Sequence, residues 1–541
     1  MPAAILKENT TAYYHAKILT VDAKDTVAQA MLVAGERIIA TGSDEEIRSL
    51  APDYARSVDL CGHTVIPGLI DAHVHAELTS VDQKLGVLLE IPKINTVEQI
   101  LSLLAERAKS TPKGQWIIAR GPNAMASKLR DKRLPTRQEL DAAVPSHPVA
   151  VFSAIHICVL NSMGIEKTGF YHETRLPRAC SMGRDHTTGE PTGVYTELWS
   201  MDESFMMPWD EESILRAQRE GLLDYYVSGG ITSIYELPYS VRGIRNWQTM
   251  RKEGRLPARV RMYLTHPVPI DLDRFLKTGI GMNFGDDWLS IGGIKLFVDG
   301  VMSHAEGYYM PDLKWTQAEL NEIVQKAHDA GFQLWLHTLS PVAIRCAVEA
   351  FENAITRNPR LDHRHRIEHC GDRWTRLFTD GTPFVPDALK AKIKRLGLVP
   401  VSTPQHISAF PDRPGVPSRT LLHEGFLFPG ASDTTGAQPE SCNPWYGIGC
   451  LVTRKNLYGQ VLTPQECLTP LEALRVNTLY GAWCGFEEHK KGSLEPGKLA
   501  DFCVLNEDLL TMDPQEIQNM TVAATVVGGK AQYTTKDFAG L

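Results

Sequence analysis

The sequence predicts an α/β fold: a (β/α)8, TIM-like barrel with a small β domain made from the two chain ends and a lobe inserted near the start of the barrel. Three observations predict it. Short apolar runs recur through the middle of the chain, helix-like segments separate several of them, and both ends carry a different, strand-and-turn texture. With 541 residues, 43 % of them apolar, the chain can hold one large domain and an accessory layer.

The first sixty residues hold AYYHAKILTV, AQAMLVAG, ERIIATG and SVDL, whose alternation and Gly/Asp punctuation predict antiparallel strands. The last fifty return to this pattern in GKLADFCVLN and VAATVVGGKAQYT, so the two ends are expected to pair. Between them lie eight β-like runs: 65–75, 230–237, 258–266, 291–300, 332–338, 365–370, 397–405 and 426–435. Short, almost wholly apolar strands suit a parallel sheet covered by helices, and right-handed βα units close most naturally into a barrel. Segments such as TQAELNEIVQKAHDAG (316–331) and SPVAIRCAVEAFENAIT (340–356) supply the helices. The stretch from about 76 to 225 is too long for one βα loop and is expected to form a lobe over the barrel mouth.

Charge and composition exclude several functions. A net charge of −8 leaves no basic stripe for nucleic acid. No apolar run reaches about 18 residues, which argues against a membrane span, and the N-terminus lacks a secretory pattern, so a cytoplasmic protein is expected. Ten cysteines stand singly without a CxxC pair, which argues against a thiolate metal site.

Polar residues gather at the predicted C-terminal strand ends, where barrel enzymes place their chemistry. His73 and His75 end the first run. Alternate residues of a strand point the same way, so this HxH aims two imidazoles at one point, as zinc or a related divalent ion requires. His337 ends the fifth run and His369 the sixth, each a histidine after apolar residues. One such histidine is more often a packed core residue; four at one level of a barrel favour a metal site. Lys295 lies inside the apolar fourth run, where a bare ammonium is costly. Two readings stay open for it: pairing with a carboxylate such as Asp299, or carboxylation by carbon dioxide to give an anionic ligand. Asp433, in GASDTT, supplies a carboxylate that can ligate metal and act as general base, the alternative being a helix N-cap.

Taken together, the chain resembles the amidohydrolase superfamily, in its formamide deformylase-like branch. The resemblance covers nearly the whole length and rests on VIPGLIDAHVH, GEPTGV, GGIKLFVDG, HRIEH, SDTT and GSLEPGKLADFCVLN. It implies a β-sandwich from 1–64 and 487–541 and a barrel over 65–486. It also implies a ligand set of His73, His75, Lys295, His337, His369 and Asp433 around one or two divalent ions, usually zinc. The implied reaction is hydrolysis of a non-peptide C–N bond in an amide, N-formyl amine, carbamate or cyclic amide, with Asp433 as base. His304 and His156 are candidate catalytic donors or substrate contacts, His156 being followed by Asn161-Ser162 as is common in this branch. A heterocycle deaminase with one metal ion is the alternative, and a non-catalytic binding protein on the same fold the third. The chain departs from the branch after His337, where Thr338-Leu339-Ser340-Pro341 replaces the usual HAIGD, a change at the pocket wall. Trp199, Trp209, Tyr308, Tyr309 and Trp445 are candidate walls for an apolar small-molecule substrate. No nucleic-acid or membrane partner is expected; the oligomeric state is open, a homo-oligomer included.

Overall fold

The computed structural model describes residues 9–172, 176, 180–198, 205, 207–300, 313–378, 380–409, 416–434, 440–536 and 538. At its centre is a curled parallel sheet of seven strands in sequence order. They are β1 (Leu69–Val74), β2 (Ile231–Glu236), β3 (Arg259–His266), β4 (Leu289–Phe297), β5 (Gln333–His337), β6 (Arg366–Glu368) and β7 (Val399–Pro400). Every neighbouring pair is parallel. Outside them lie α1 (Ala76–Leu85), α2 (Val241–Lys252), α3 (Gln317–Asp329), α4 (Pro341–Arg357) and α5 (Asp387–Arg395).

The strands are buried on both faces, but the faces differ. Ile234, Met262, Leu264, Ile294, Leu296, Leu334, Leu336 and Ile367 join the large apolar core against the helices. The residues between them, Tyr235, Tyr263, Lys295, Trp335, His337, Arg366 and Glu368, point to the other face, as strand alternation demands. The helices answer with apolar stripes. In α4, Ala343, Ile344, Ala347, Val348, Ala350, Phe351 and Ala354 recur at helical spacing and are buried. Local signals start these helices: Thr316 and Glu319 form a capping box at α3, and Ser340 caps α4 ahead of Pro341.

The eighth expected run, 426–435, forms no strand over its described residues. Pro429 has no N–H to give a ladder, and Asp433 sits at φ 48°, outside the β region. The segment nevertheless lies along β1: Ala72 N–H donates to Gly430 O at 3.0 Å and Asp433 N–H to His73 O at 2.8 Å. Ala431 packs with Val399 and Val401 on the other side.

The first run, read as one strand over 65–75, is divided. Thr64–Pro67 pairs antiparallel with Phe502–Leu505 in a six-stranded sheet that joins the chain ends. Gly68 marks the change of sheet, and its lack of a side chain is required: a Cβ there would lie 2.1 Å from Thr232 Oγ1. A four-stranded sheet of Thr10–Tyr14, Ala30–Ala34, Arg37–Gly42 and Arg56–Asp59 shares an apolar core with the six-stranded one.

The segment after α1 has a six-stranded sheet of its own, Val87–Leu88 through Pro191–Thr196, with Val97–Ser110 and Arg137–Ala143 packed on it. A buried ion pair between Asp82 of α1 and Arg120 joins it to the barrel side, and Arg120 Nη1–H donates to Ala154 O at 2.6 Å. Among the described residues no helix is long and apolar enough to cross a membrane.

Candidate active site and metal centre

β1 delivers His73 and His75 to the top of the sheet, and the neighbouring segment delivers Asp433. Asp71, two residues before His73, fixes that segment by accepting from Ser432 N–H at 3.0 Å and from Ser432 Oγ–H. His75 Nε2 then lies 3.2 Å, and His73 Nε2 3.5 Å, from Asp433 Oδ1. These three residues offer ligand atoms within 4.8 Å of one another. His369 ends β6 in the left-handed region at φ 65°, a strained placement for a non-glycine residue, with Nε2 3.8 Å from Asp433 Oδ2. Its ring packs against those of His73 and His337, at centroid distances of 5.5 and 4.7 Å. Lys295 and His337 line the same cavity as His73, His75 and Asp433. The six residues expected from sequence are therefore neighbours in space.

A family model described as the amidohydrolase family matches residues 56–533. The chain belongs to the amidohydrolase family. It is 27 % identical to N-substituted formamide deformylase of Arthrobacter pascens, over 96 % of this chain and 97 % of that protein. It is 24 % identical to Protein LONG AFTER FAR-RED 3 of Arabidopsis thaliana, over 95 % and 90 %. In fold it matches a metal-dependent hydrolase from Pyrococcus horikoshii OT3, with TM-score 0.69, 22 % identity and coverage of 93 % and 99 %. This amidohydrolase is thus a hydrolase acting on carbon–nitrogen bonds.

Electrostatics in this amidohydrolase suits a divalent cation. Burial, aided by Lys295, pushes His73 down to about 4, and burial pushes His369 down to about 3 and His75 and His337 down as well. Neutral imidazoles are the form that ligates metal. Burial alone would raise Asp433, but His73, His75 and His369 hold it well below the usual carboxylate range, so it stays ionised. Among the described residues the buried atoms Lys295 Nζ, His337 Nε2, His75 Nδ1 and His369 Nδ1 have no hydrogen-bond partner. Neutral imidazoles with unpartnered buried nitrogens beside an anionic carboxylate are what a cation-binding site requires.

Several residues of the site escaped the sequence reading. Glu368 lies 2.5 Å from His73 Nδ1 and is itself gripped by Arg366 at 2.7 and 2.9 Å. A carboxylate can only accept here, so His73 carries its proton on Nδ1 and turns the Nε2 lone pair to the cavity. His406 also lines the cavity; Asp372 Oδ2 lies 3.0 Å from its Nδ1, and its Nε2 is 3.8 Å from Asp433 Oδ2. His369, Asp372 and His406 form a second group with metal-ligand spacing.

His156 faces this cavity, its Nδ1 3.1 Å from Glu197 Oε1, while Lys314 Nζ donates to Glu197 Oε2 at 2.7 Å. Asn161 plays a different part: its side chain accepts from Gly164 N–H and Val149 N–H and caps the helix Ser162–Thr168. The pairing of Lys295 with Asp299 is not found. Asp299 instead accepts from Leu339 N–H and Ser340 N–H, so the Thr-Leu-Ser-Pro departure serves to start α4. Trp445 is not a wall of the ligand cavity; it is buried elsewhere, donating to Gly229 O at 3.0 Å. Trp209 packs at the lobe core. His304, Trp199, Tyr308 and Tyr309 lie outside the described residues.

Proposed function

We propose that this amidohydrolase cleaves a carboxamide-type C–N bond with a water activated at a site of one or two zinc ions. The observation that carries the reading is the convergence of His73, His75 and Asp433 on one point, with Lys295, His337 and His369 around it. His73, His75, Lys295, His337, His369 and Asp433 would hold the metal. The metal would supply Lewis acidity, polarising the scissile carbonyl and lowering the pKa of the attacking water. Asp433 accepts the water proton on a carboxylate oxygen and returns it to the leaving nitrogen, so that amide and water become acid and amine. His156, oriented by Glu197, contacts the substrate carbonyl side of the cavity; His304 is assigned a similar role.

Burial pushes Lys295 down to about 8, towards a neutral amine. An ammonium would repel a neighbouring cation, whereas a neutral amine adds carbon dioxide, releasing a proton and gaining a carboxylate. This supports carboxylated Lys295 as a ligand. The contacts of segment 426–434 with β1 and β7 support closure of the sheet into the (β/α)8 barrel. The core shared by the two terminal sheets supports a sandwich of 1–64 and 487–541, with the barrel over 65–486. We place the enzyme in the cytoplasm, acting on a small-molecule substrate.

The test is a substrate panel on zinc-loaded protein, scored for carboxylate or formate against ammonia, with metal content measured in parallel. Carboxylate or formate with an amine supports the reading. Ammonia from a purine or pyrimidine would replace it with deamination, and failure to bind any metal would leave a binding protein.

A further inference from the structure

We infer that the substrate is a carboxamide whose non-reacting side is a long apolar arm ending in a hydrogen-bond acceptor, and that this arm passes Asn123 into a cavity of the lobe and reaches Arg137. The inference rests on the hydrolase reading above.

The space among the ligands is about 20 Å³, room for about one water. The body of an organic substrate must lie elsewhere. Asn123 lines that space and also a lobe cavity of about 690 Å³, within the range that holds small organic ligands. One turn lies between the two cavities: Ala154, Ile155 and His156 line the space among the ligands, while Ser153 and Ile157, on either side, line the larger cavity. Arg120, which bonds Ala154 O, holds that turn in place.

The walls define the arm. Met125, Leu134, Pro135, Ile157, Pro191 and Val194 offer apolar surface, so methylene or aromatic groups gain by leaving water there. Arg137, half-buried, lines the same cavity and brings a guanidinium to it. Its neighbour Arg133 is instead paired to Glu139 at 2.8 Å. Asp185, also at the cavity, accepts from Thr187 N–H and Thr188 N–H on Oδ1, and both Asp185 and Glu190 are exposed. A ligand carboxylate at this end of the cavity would pair with the Arg137 guanidinium.

Hydroxamates chelate metal ions and can carry any tail, so they test the arm without a known substrate. Calorimetry on the zinc-loaded full chain would compare acetohydroxamate, octanohydroxamate and the monohydroxamate of suberic acid, which ends in a carboxylate. Octanohydroxamate is expected to bind at least about tenfold tighter than acetohydroxamate, and the suberic compound tighter again. Ile157→Trp and, independently, Val194→Phe should remove the tail's advantage at unchanged metal content, with acetohydroxamate binding altered by less than about twofold. Arg137→Met should remove only the extra gain of the carboxylate. An octanoyl tail that gains nothing, or a gain that survives both cavity substitutions, overturns the placement of the arm. A carboxylate gain indifferent to Arg137→Met overturns the role of Arg137. If acetohydroxamate itself fails to bind the metal-loaded protein, the metal reading falls and this inference with it.

Discussion

A neutral imidazole can ligate a metal and an imidazolium cannot, so His73 depends on the residue behind it. Glu368 accepts a hydrogen bond from its Nδ1–H, and Arg366 and His73 hold Glu368 ionised against the upward push of burial. Glu368→Gln weakens that grip and leaves Arg366 short of its counter-charge. Metal affinity should fall about 10- to 100-fold, measured by competition with a chromogenic chelator. Lys295→Ala should be inactive, and if the lysine is carboxylated, added acetate or propionate should restore part of the activity; intact activity without rescue would remove Lys295 from the ligand set. The six residues proposed as ligands were legible because each ends or interrupts an apolar run. Glu368 was not, although Arg366 and Glu368 alternate with apolar residues in HRIEH and are the signal of a paired inner face. Asp372, His406 and Glu197 gave less warning still, since what defines them is a partner distant in sequence.

At the level of elements, seven of the expected strands were readable from their apolar runs, and the helices from stripes and caps. Two features were not. The run 65–75 crosses between sheets at Gly68 without any break in hydrophobicity, and 426–434 lies beside β1 without forming a ladder. Tertiary contacts decide both. One element-level feature controls acid stability. Below the sheet, Leu334 N–H donates to His365 Nδ1, so His365 donates from Nε2 to His328 Nδ1 at 2.8 Å, and His328 donates from Nε2 to Asn358 O at 2.7 Å. Each ring must be neutral for this chain to exist. Burial lowers His328 and His365, and burial lowers His363, stacked on His365, to about 4 from an ordinary 6.5. Arg360 opposes protonation, while Asp329 and Asp362 favour it less strongly. The unfolded chain therefore takes up protons first. This contribution is full above pH 6.5 and drains away as pH falls from 6.5 towards 4. The guanidinium midpoint should drop between pH 7 and pH 5, and drop less in a His363→Asn variant; an equal slope in both would refute the assignment.

Across the whole molecule, the lobe is tied to the barrel side by charge buried out of water. Both Asp82 and Arg120 are almost fully buried, and breaking such a pair from one side typically costs about 3–5 kcal/mol. Arg120→Met should lower stability by an amount of that order, and adding Asp82→Leu should recover most of it. If the double variant is no better than the single one, the pair does not act as described. Because Arg120 also holds the turn before His156, the single variant should loosen the site as well as the fold.

The strand Thr64–Pro67 leads straight through Gly68 into the strand that carries His73 and His75, and its own ladder partner, Phe502–Leu505, lies near the far end of the chain. Asp501, just before that partner, accepts from Arg259 at 2.7 and 2.9 Å and, through its carbonyl, from Gly68 N–H. The strand that carries the two histidines is thus tied to a sheet far away in the sequence as well as to its neighbour Ile231–Glu236. A lesion at Phe502–Leu505 would therefore be felt at His73 and His75, although no residue of that strand lines the cavity between them.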